Sequence, residues 1–392
     1  KKGKGGGKAL PGAKQCAGME LDQMLSTLVE NKLINNYKER KISDLVGDFN
    51  YLGTVQQQLD RKDKKAWVPP DPSMAQLRAS ITEYCVLPLG SSSVKAKLET
   101  NDIKTIMLYG PSGSGKTMMV EAIASELGAL LINISPSRVK DAKDFQNGSK
   151  GADKLLHMIY EIAREDLEKQ PLGNPNAPVV VYMDECDKFF EAGGKKSKVD
   201  KKGPKCFSKP LMAYKKGFKH TDRIIFVGTT SNPDKADKKE IKNFFDKFLF
   251  MPYPDYPSRL MLWRGFVKEQ LSLSGGQLHK EIPDDFDLST LARISEGFSA
   301  GAVHRCVKKT LTKRRVDRLD KRALAESEFI NSLALEASKG ESNYTYREDL
   351  NRFRAFTAMI TGLDERRSKI EDEKSGDGDG GDDKKGKGKK KK

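Results

Sequence analysis

The stretch Leu108–Thr117, LYGPSGSGKT, restricts the fold more than any other part of the chain. Gly110, Gly115, Lys116 and Thr117 satisfy the spacing G-x-x-x-x-G-K-[ST], with an apolar run before them (TIML) and a helical one after (MMVEAIASEL). Glycines let the backbone curl until its N–H groups and the N-terminus of the following helix point at a phosphate. The loop Gly110, Pro111, Ser112, Gly113, Ser114, Gly115, Lys116, Thr117 and Met118 is therefore the expected nucleotide-binding segment. Lys116 is placed for the β and γ oxygens and the Thr117 hydroxyl for Mg²⁺.

Such a loop needs a sheet behind it, and the chain supplies the strands. TIMLYG, ALLINIS, VVVYMDE, RIIFVGTT and KFLFMPYP are apolar without alternation and are separated by helical stretches. That pattern predicts an α/β fold with a five-stranded parallel sheet covered on both faces. After PYPDYPS the strand signal stops, and helical periodicity over Leu260–Leu273, Leu288–Ile294 and Ala302–Leu319 predicts a small helical lid. Upstream, helical spacing runs from Met19 toward Tyr51, and MAQLRASITEYCVLPL reads as a helix that ends at Pro88. The Gly- and Lys-rich ends carry almost no large apolar side chains and are expected to be disordered. The expected division is 1–18 disordered, 19–70 a helical extension, 71–256 the α/β core, 257–366 the lid and C-terminal helices, and 367–392 a disordered charged tail.

The second half of a nucleotide site lies in VVVYMDE. Asp184 stands at a strand end, where it can hold Mg²⁺ through water, and Glu185 is positioned to polarise an attacking water as catalytic base. With the phosphate loop these residues resemble the AAA+ ATPase superfamily over roughly Asp71 to Leu319. The resemblance implies that the VGTT strand lies between the two motif strands and that a polar sensor follows it, here Ser231 or Asn232. It also implies that the helix opening in GFSAGAVHRC faces the nucleotide, with His304 or Arg305 as a possible lid sensor. ATP or ADP with Mg²⁺ is the implied cofactor set.

Three departures from that family stand out. Ring-forming members carry arginines shortly before a Phe-Asp pair, reaching a neighbour's γ-phosphate and contributing ~10³ to 10⁵ in rate. Aligned on Phe245 and Asp246, those places hold Phe244 and Ile241; Lys239 and Lys242 are near but lack the guanidinium fork. The pore aromatic of substrate-threading rings is also displaced, since DFQNGSK offers Phe145 one residue out of register. A lysine-rich segment, Glu191–His220, stands where a helix usually follows the acidic pair, and its first half reads as an exposed loop.

Charge and cysteines bound the setting. Four lysines in the first eight residues and seven in the last nine supply most of the net charge of +16. The tails therefore suit a polyanion, while the body is only mildly basic. Five unpaired-looking cysteines predict a reducing compartment without a disulfide framework or zinc site. No apolar run approaches the ~20 residues of a membrane span. No nucleic-acid module or aromatic-interleaved groove is evident, so neither membrane nor nucleic acid is an expected partner. A chain that opens on Lys1 is expected to be the C-terminal part of a longer protein.

Beyond the superfamily, LYGPSGSGKTMMVEAIASELGALLINISPSRV, VVYMDECDKFF and YPDYPSRLMLWRGFVKEQL resemble the IQ and AAA domain-containing subunits of the nexin–dynein regulatory complex, from about Leu33 to Gly362. That resemblance implies a place on the doublet microtubules of the ciliary or flagellar axoneme, on the cytoplasmic side. Implied partners are the other subunits of the complex, the acidic tails of tubulin, and calmodulin through an upstream IQ motif these residues do not contain. The basic amphipathic pattern from His304 to Glu326 is also seen in calmodulin targets, but more often belongs to a lid helix with a solvated basic face. The function expected is a structural and regulatory axonemal subunit that binds nucleotide and hydrolyses it slowly. The alternative is an active hexameric remodelling ATPase of the microtubule-severing type.

Overall fold

The computed structural model describes residues 10–34, 36–48, 71–97, 103–146, 148–164, 178–192, 203–272, 282–283, 286–338 and 346–362. All five apolar runs become strands of one sheet: β1 (Thr105–Tyr109), β2 (Leu130–Asn133), β3 (Val179–Met183), β4 (Ile224–Thr230) and β5 (Lys247–Phe250). Their order is β2-β3-β4-β1-β5, with every pairing parallel. β4 thus sits between β1 and β3, with Tyr109 opposite Thr230 and Met183 opposite Gly228. The C-terminal ends of these three strands open on one edge, where parallel sheets place their ligands.

The described helices, in chain order, are α1 (Leu21–Glu30), α2 (Met74–Ile81), α3 (Leu87–Gly90), α4 (Ser92–Lys97), α5 (Lys116–Leu127), α6 (Pro136–Asp141), α7 (Ser149–Ala163), α8 (Ser208–Gly217), α9 (Lys238–Phe244), α10 (Tyr256–Ser272), α11 (Leu288–Ile294), α12 (Ala300–Thr310), α13 (Lys313–Val316), α14 (Ser327–Ser338) and α15 (Tyr346–Thr361). Because side chains alternate along a strand, β1 sends Met107 and Tyr109 to one face and Ile106 and Leu108 to the other. The first face is covered by α1, α7, α8, α9 and α15, the second by α2, α3 and α5. A separate apolar cluster around Trp263, Val303, Cys306 and Phe329 forms the lid from α10 to α14.

Several boundaries differ from the sequence expectation. Residues 10–18, expected to be disordered, are ordered. Leu10 packs on Gly217, the Tyr214 hydroxyl donates to the Pro11 carbonyl, and Cys16 is buried. The upstream helix is short: it ends at Glu30, and Lys32 adopts a left-handed φ of 56°. The chain then pairs Ile34 antiparallel with Ile132, so that Asn133 N–H donates to the Leu33 carbonyl at 2.8 Å. This covers the free edge of β2, which would otherwise offer unpaired backbone groups.

The helix expected to stop at Pro88 continues to Gly90. A π turn over Thr82–Val86 widens the coil ahead of the proline and relieves its clash with the preceding turn. In the lid, the pattern from His304 to Glu326 is not one helix. It breaks at Leu311, and Thr312 caps the four-residue α13, which leaves α12 with 11 residues. Finally, α15 belongs to the α/β core and not to the lid. Phe353 and Phe356 join the sheet cluster, Tyr109 Oη and Thr357 Oγ1 lie 2.6 Å apart, and Arg354 makes two bonds to Asp71, at 3.0 and 2.7 Å. Residues 1–9, 367–392 and most of the turn cluster GNPNAP lie outside the described residues, as does 193–202 of the lysine-rich segment. The segment's second half forms α8.

Candidate nucleotide site

Between β1 and α5 the chain makes the tight loop that the glycines allow. Gly110, Gly113 and Gly115 have φ of 154°, 77° and 97°. A Cβ at Gly110 would lie 2.1 Å from the Met251 carbonyl oxygen, so that position accepts no side chain. Lys116 opens α5 and is buried. Its Nζ donates to the carbonyls of Gly110 at 2.9 Å and Pro111 at 2.7 Å. Burial pushes its ammonium down to about 8, while the Asp184 charge pulls the other way. Ser114 Oγ is buried with no hydrogen-bond partner among the described residues, a donor available to a phosphate oxygen or water. Ser112 and Thr117 are exposed, and Met118 is half-buried beside Gly115.

Asp184, at the end of β3, is held from two sides. Its backbone N–H donates to Ser135 Oγ at 2.9 Å, and Thr229 Oγ1 donates to its Oδ1 at 2.6 Å. Tyr182 Oη lies 3.2 Å from Thr117 Oγ1 and 3.5 Å from Thr229 Oγ1, which joins the two metal-side candidates through hydroxyls. Burial and the Asp184 charge push the Tyr182 phenol up to about 12, so it keeps its proton. A hydroxyl and a carboxylate at adjacent strand and helix ends suit Mg²⁺, which takes one or two protein oxygens and completes its shell with phosphate and water. No cluster of three or more His, Cys, Asp or Glu occurs among the described residues, so the donor set matches no all-protein metal cage.

Glu185 has a left-handed φ of 48°, rare outside glycine, and receives a 2.6 Å ion pair from Lys188. Both partners are about half exposed, at 52% and 47%. The pair is weak in water, yet it gives the candidate base a cationic neighbour. Beyond β4, Arg352 of α15 reaches the sensor segment, donating to the Ser231 carbonyl at 3.2 Å and to Asn232 Oδ1 at 3.4 Å. Ser231 and Asn232 thus follow the end of β4 and are held there by Arg352.

The lid candidates are arranged differently. The N-terminus of α12 docks directly on the loop: Gly301 N–H donates to the Gly113 carbonyl at 2.9 Å. His304, however, packs on Phe266 with ring centroids 4.9 Å apart. Arg305 Nε donates to Glu336 Oε2 at 2.8 Å, and Lys309 reaches the same buried carboxylate at 2.7 Å. Arg305 is thus tied to the lid's own carboxylate.

The positions aligned with finger arginines are closed to any neighbour. Ile241 and Phe244 are each 0% exposed, and Phe244 sits among Phe190, Phe226 and Phe245. Phe145 is likewise buried, in the core and not at a pore. Tyr182, Thr229, Arg352 and Lys188 are the functional residues that motif reading passed over. The first two carried a signal, as hydroxyls near the ends of largely apolar strands.

Comparison with known proteins agrees with this fold. Residues 106–253 match the model of the ATPase family associated with various cellular activities (AAA). Dynein regulatory complex protein 11 of Mus musculus is 31% identical over 353 residues, covering 88% of this chain and 37% of the relative. The proteasome-activating nucleotidase of Saccharolobus solfataricus is 26% identical over 273 residues, covering 68% of this chain and 62% of the relative. Among solved structures, the FIGL-1 AAA domain in complex with ADP superposes with a TM-score of 0.56 at 19% identity, covering 86% of this chain and 97% of that one. The last shows the fold alone. The chain spans less than two thirds of the length of either curated relative.

Proposed function

We propose that this chain, which belongs to the AAA+ ATPase superfamily, is a nucleotide-binding structural and regulatory subunit of an axonemal assembly related to the nexin–dynein regulatory complex. One observation carries the reading: a complete phosphate site is combined with buried apolar residues, Ile241 and Phe244, where a ring ATPase needs arginines. Lys116, Thr117 and Asp184 would hold the phosphates and Mg²⁺ of ATP or ADP. The bound cation would neutralise phosphate charge. Gly113 and Gly301 join loop to lid, so nucleotide at the loop would fasten α12 against the sheet. Hydrolysis is then slow or dependent on a partner's arginine.

The axonemal part rests on the likeness to the mouse dynein regulatory complex protein 11. The partners proposed with it are the other subunits of that complex and the acidic tails of tubulin, met by lysine-rich stretches. Calmodulin is proposed only through sequence outside this chain. The location proposed is the cytoskeleton of the cilium or flagellum.

A second reading, the active hexameric remodeller, is favoured by Asp184 and Glu185. Against it stand the buried Phe244 and Phe145 and the Lys188 cation on Glu185. The test is co-sedimentation of the purified chain with doublet microtubules at rising salt, with its tightly bound nucleotide measured alongside. Retained ADP or ATP with salt-sensitive binding to doublets is expected. A chain that carries no nucleotide and ignores doublets overturns the proposal.

A further inference from the structure

We propose that Tyr182 is a positioning residue for the cation site, orienting the Thr117 hydroxyl by linking it to Asp184 through a directed run of hydroxyls with Thr229. This inference rests on the nucleotide-binding reading above.

The argument begins with which atoms can donate. The Asp184 carboxylate is acceptor-only, so it collects protons from its neighbours. Thr229 spends its one hydroxyl proton there, at 2.6 Å. The Tyr182 phenol is hydrogen-bonded to the same carboxylate, which can only accept, so its proton also goes to Asp184 while its oxygen faces Thr229 Oγ1 at 3.5 Å. Its oxygen is then the acceptor for the Thr117 O–H at 3.2 Å. Each proton in the run points toward Asp184, and hydrogen bonds in such a chain strengthen one another.

The consequence falls on Thr117. A hydroxyl that binds a cation does so through an oxygen lone pair, and a proton facing the cation opposes it. With the proton drawn to Tyr182, the lone pairs of Thr117 are left for the cation. Tyr182 and Thr229 are buried, so neither touches bulk water that could replace the partner. Their neighbours on that face of the sheet, Val180, Ile225 and Val227, are apolar, and a hydroxyl without a partner there would cost stability. Phenylalanine and valine would fill the same space without the oxygen.

The test is fluorescent ADP binding by the full chain and by the variants Tyr182→Phe and Thr229→Val, titrated with Mg²⁺ and measured again in EDTA. Partners that orient a metal ligand typically alter metal affinity by 10–100-fold when removed. The Mg²⁺ concentration at half-effect should rise about tenfold in Tyr182→Phe and less in Thr229→Val. Affinity in EDTA and the melting temperature should stay close to wild type. The double variant should resemble Tyr182→Phe alone, because the run is cut once.

An unchanged Mg²⁺ titration in a folded Tyr182→Phe overturns this inference and leaves the nucleotide reading standing. Equal loss in EDTA and in Mg²⁺ also overturns it, by showing a general packing defect. If Tyr182→Phe does not fold, the Mg²⁺ shift of Thr229→Val decides. A wild-type chain that binds no ADP under either condition overturns both readings together.

Discussion

Two edges of the same sheet have been treated in opposite ways. At the C-terminal ends of β1, β3 and β4 the chain keeps polar groups in place for a phosphate: buried Lys116, the unpartnered Ser114 hydroxyl, and Asp184 held by Thr229 and Ser135. On the flank formed by α9, where a neighbouring subunit's nucleotide would be reached, Ile241 and Phe244 point into an aromatic core. Polar groups are costly to keep buried, so the first edge persists only if something uses it. Ile241 and Phe244 at the second edge stabilise this chain's own core. The contrast argues for nucleotide as a fastener of lid to sheet.

The largest expected effect tests the sealed flank. Phe244→Arg, which restores the family's residue type, would bury an unpaired charge and should destabilise the chain by about 5 kcal/mol or more. Phe244→Ala should cost about 3–5 kcal/mol. Chemical denaturation measures both. A folded Phe244→Arg variant with faster ATP hydrolysis would break the comparison outright.

The next effect tests the open edge. Lys116→Ala should weaken ADP binding by roughly 10–100-fold in calorimetry, the range expected for losing a charge-assisted bond to phosphate. The nucleotide-free protein should melt no lower than wild type, since removing Lys116 also removes a buried ammonium. A lower melting temperature without nucleotide would mean that Lys116 is mainly structural.

The smallest effect belongs to the lid interior, a bystander in this account. Arg315 bonds to Glu328 and holds its carboxyl below the ordinary glutamate value of 4.5. A depressed folded value means that the stabilisation is present above the unfolded pKa and is lost as pH falls through the folded one. Glu328→Gln should therefore lower stability by about 1 kcal/mol at pH 7, a difference that vanishes at pH values below the folded pKa. Thermal melts across pH check it, and ADP affinity at pH 7 should not move.

Much of this contrast was legible in the residues. The loop, the five strands and the acidic pair each follow from local rules: glycine for a tight curl, unbroken apolar runs for buried strands, carboxylates at a strand end. The foreign residues at the finger position were visible too. The structure adds that Ile241 and Phe244 are buried, and that depends on partners as distant in sequence as Phe190 and Phe226. Long-range packing also explains the misplaced boundaries. Leu10, Cys16 and α15 look separable from the core in sequence, yet they dock on it through Gly217, Lys154 and Tyr109. The break at Leu311 inside a continuous basic amphipathic pattern was hidden because periodicity reports a face and not a stop. Arg352 gave no signal at all, since its contacts with Ser231 and Asn232 span about 120 residues, |i−j| being 121 and 120.

The central claim is tested most directly by steady-state ATP hydrolysis of the purified chain, alone and with doublet microtubules, beside a Glu185→Gln control and an assay of nucleotide retained through purification. A site without an arginine finger forgoes ~10³ to 10⁵ in rate. The account predicts retained nucleotide and turnover below about 10⁻² per second. Turnover near or above about one per second, in the range of ordinary enzymes, and abolished by Glu185→Gln, would contradict it.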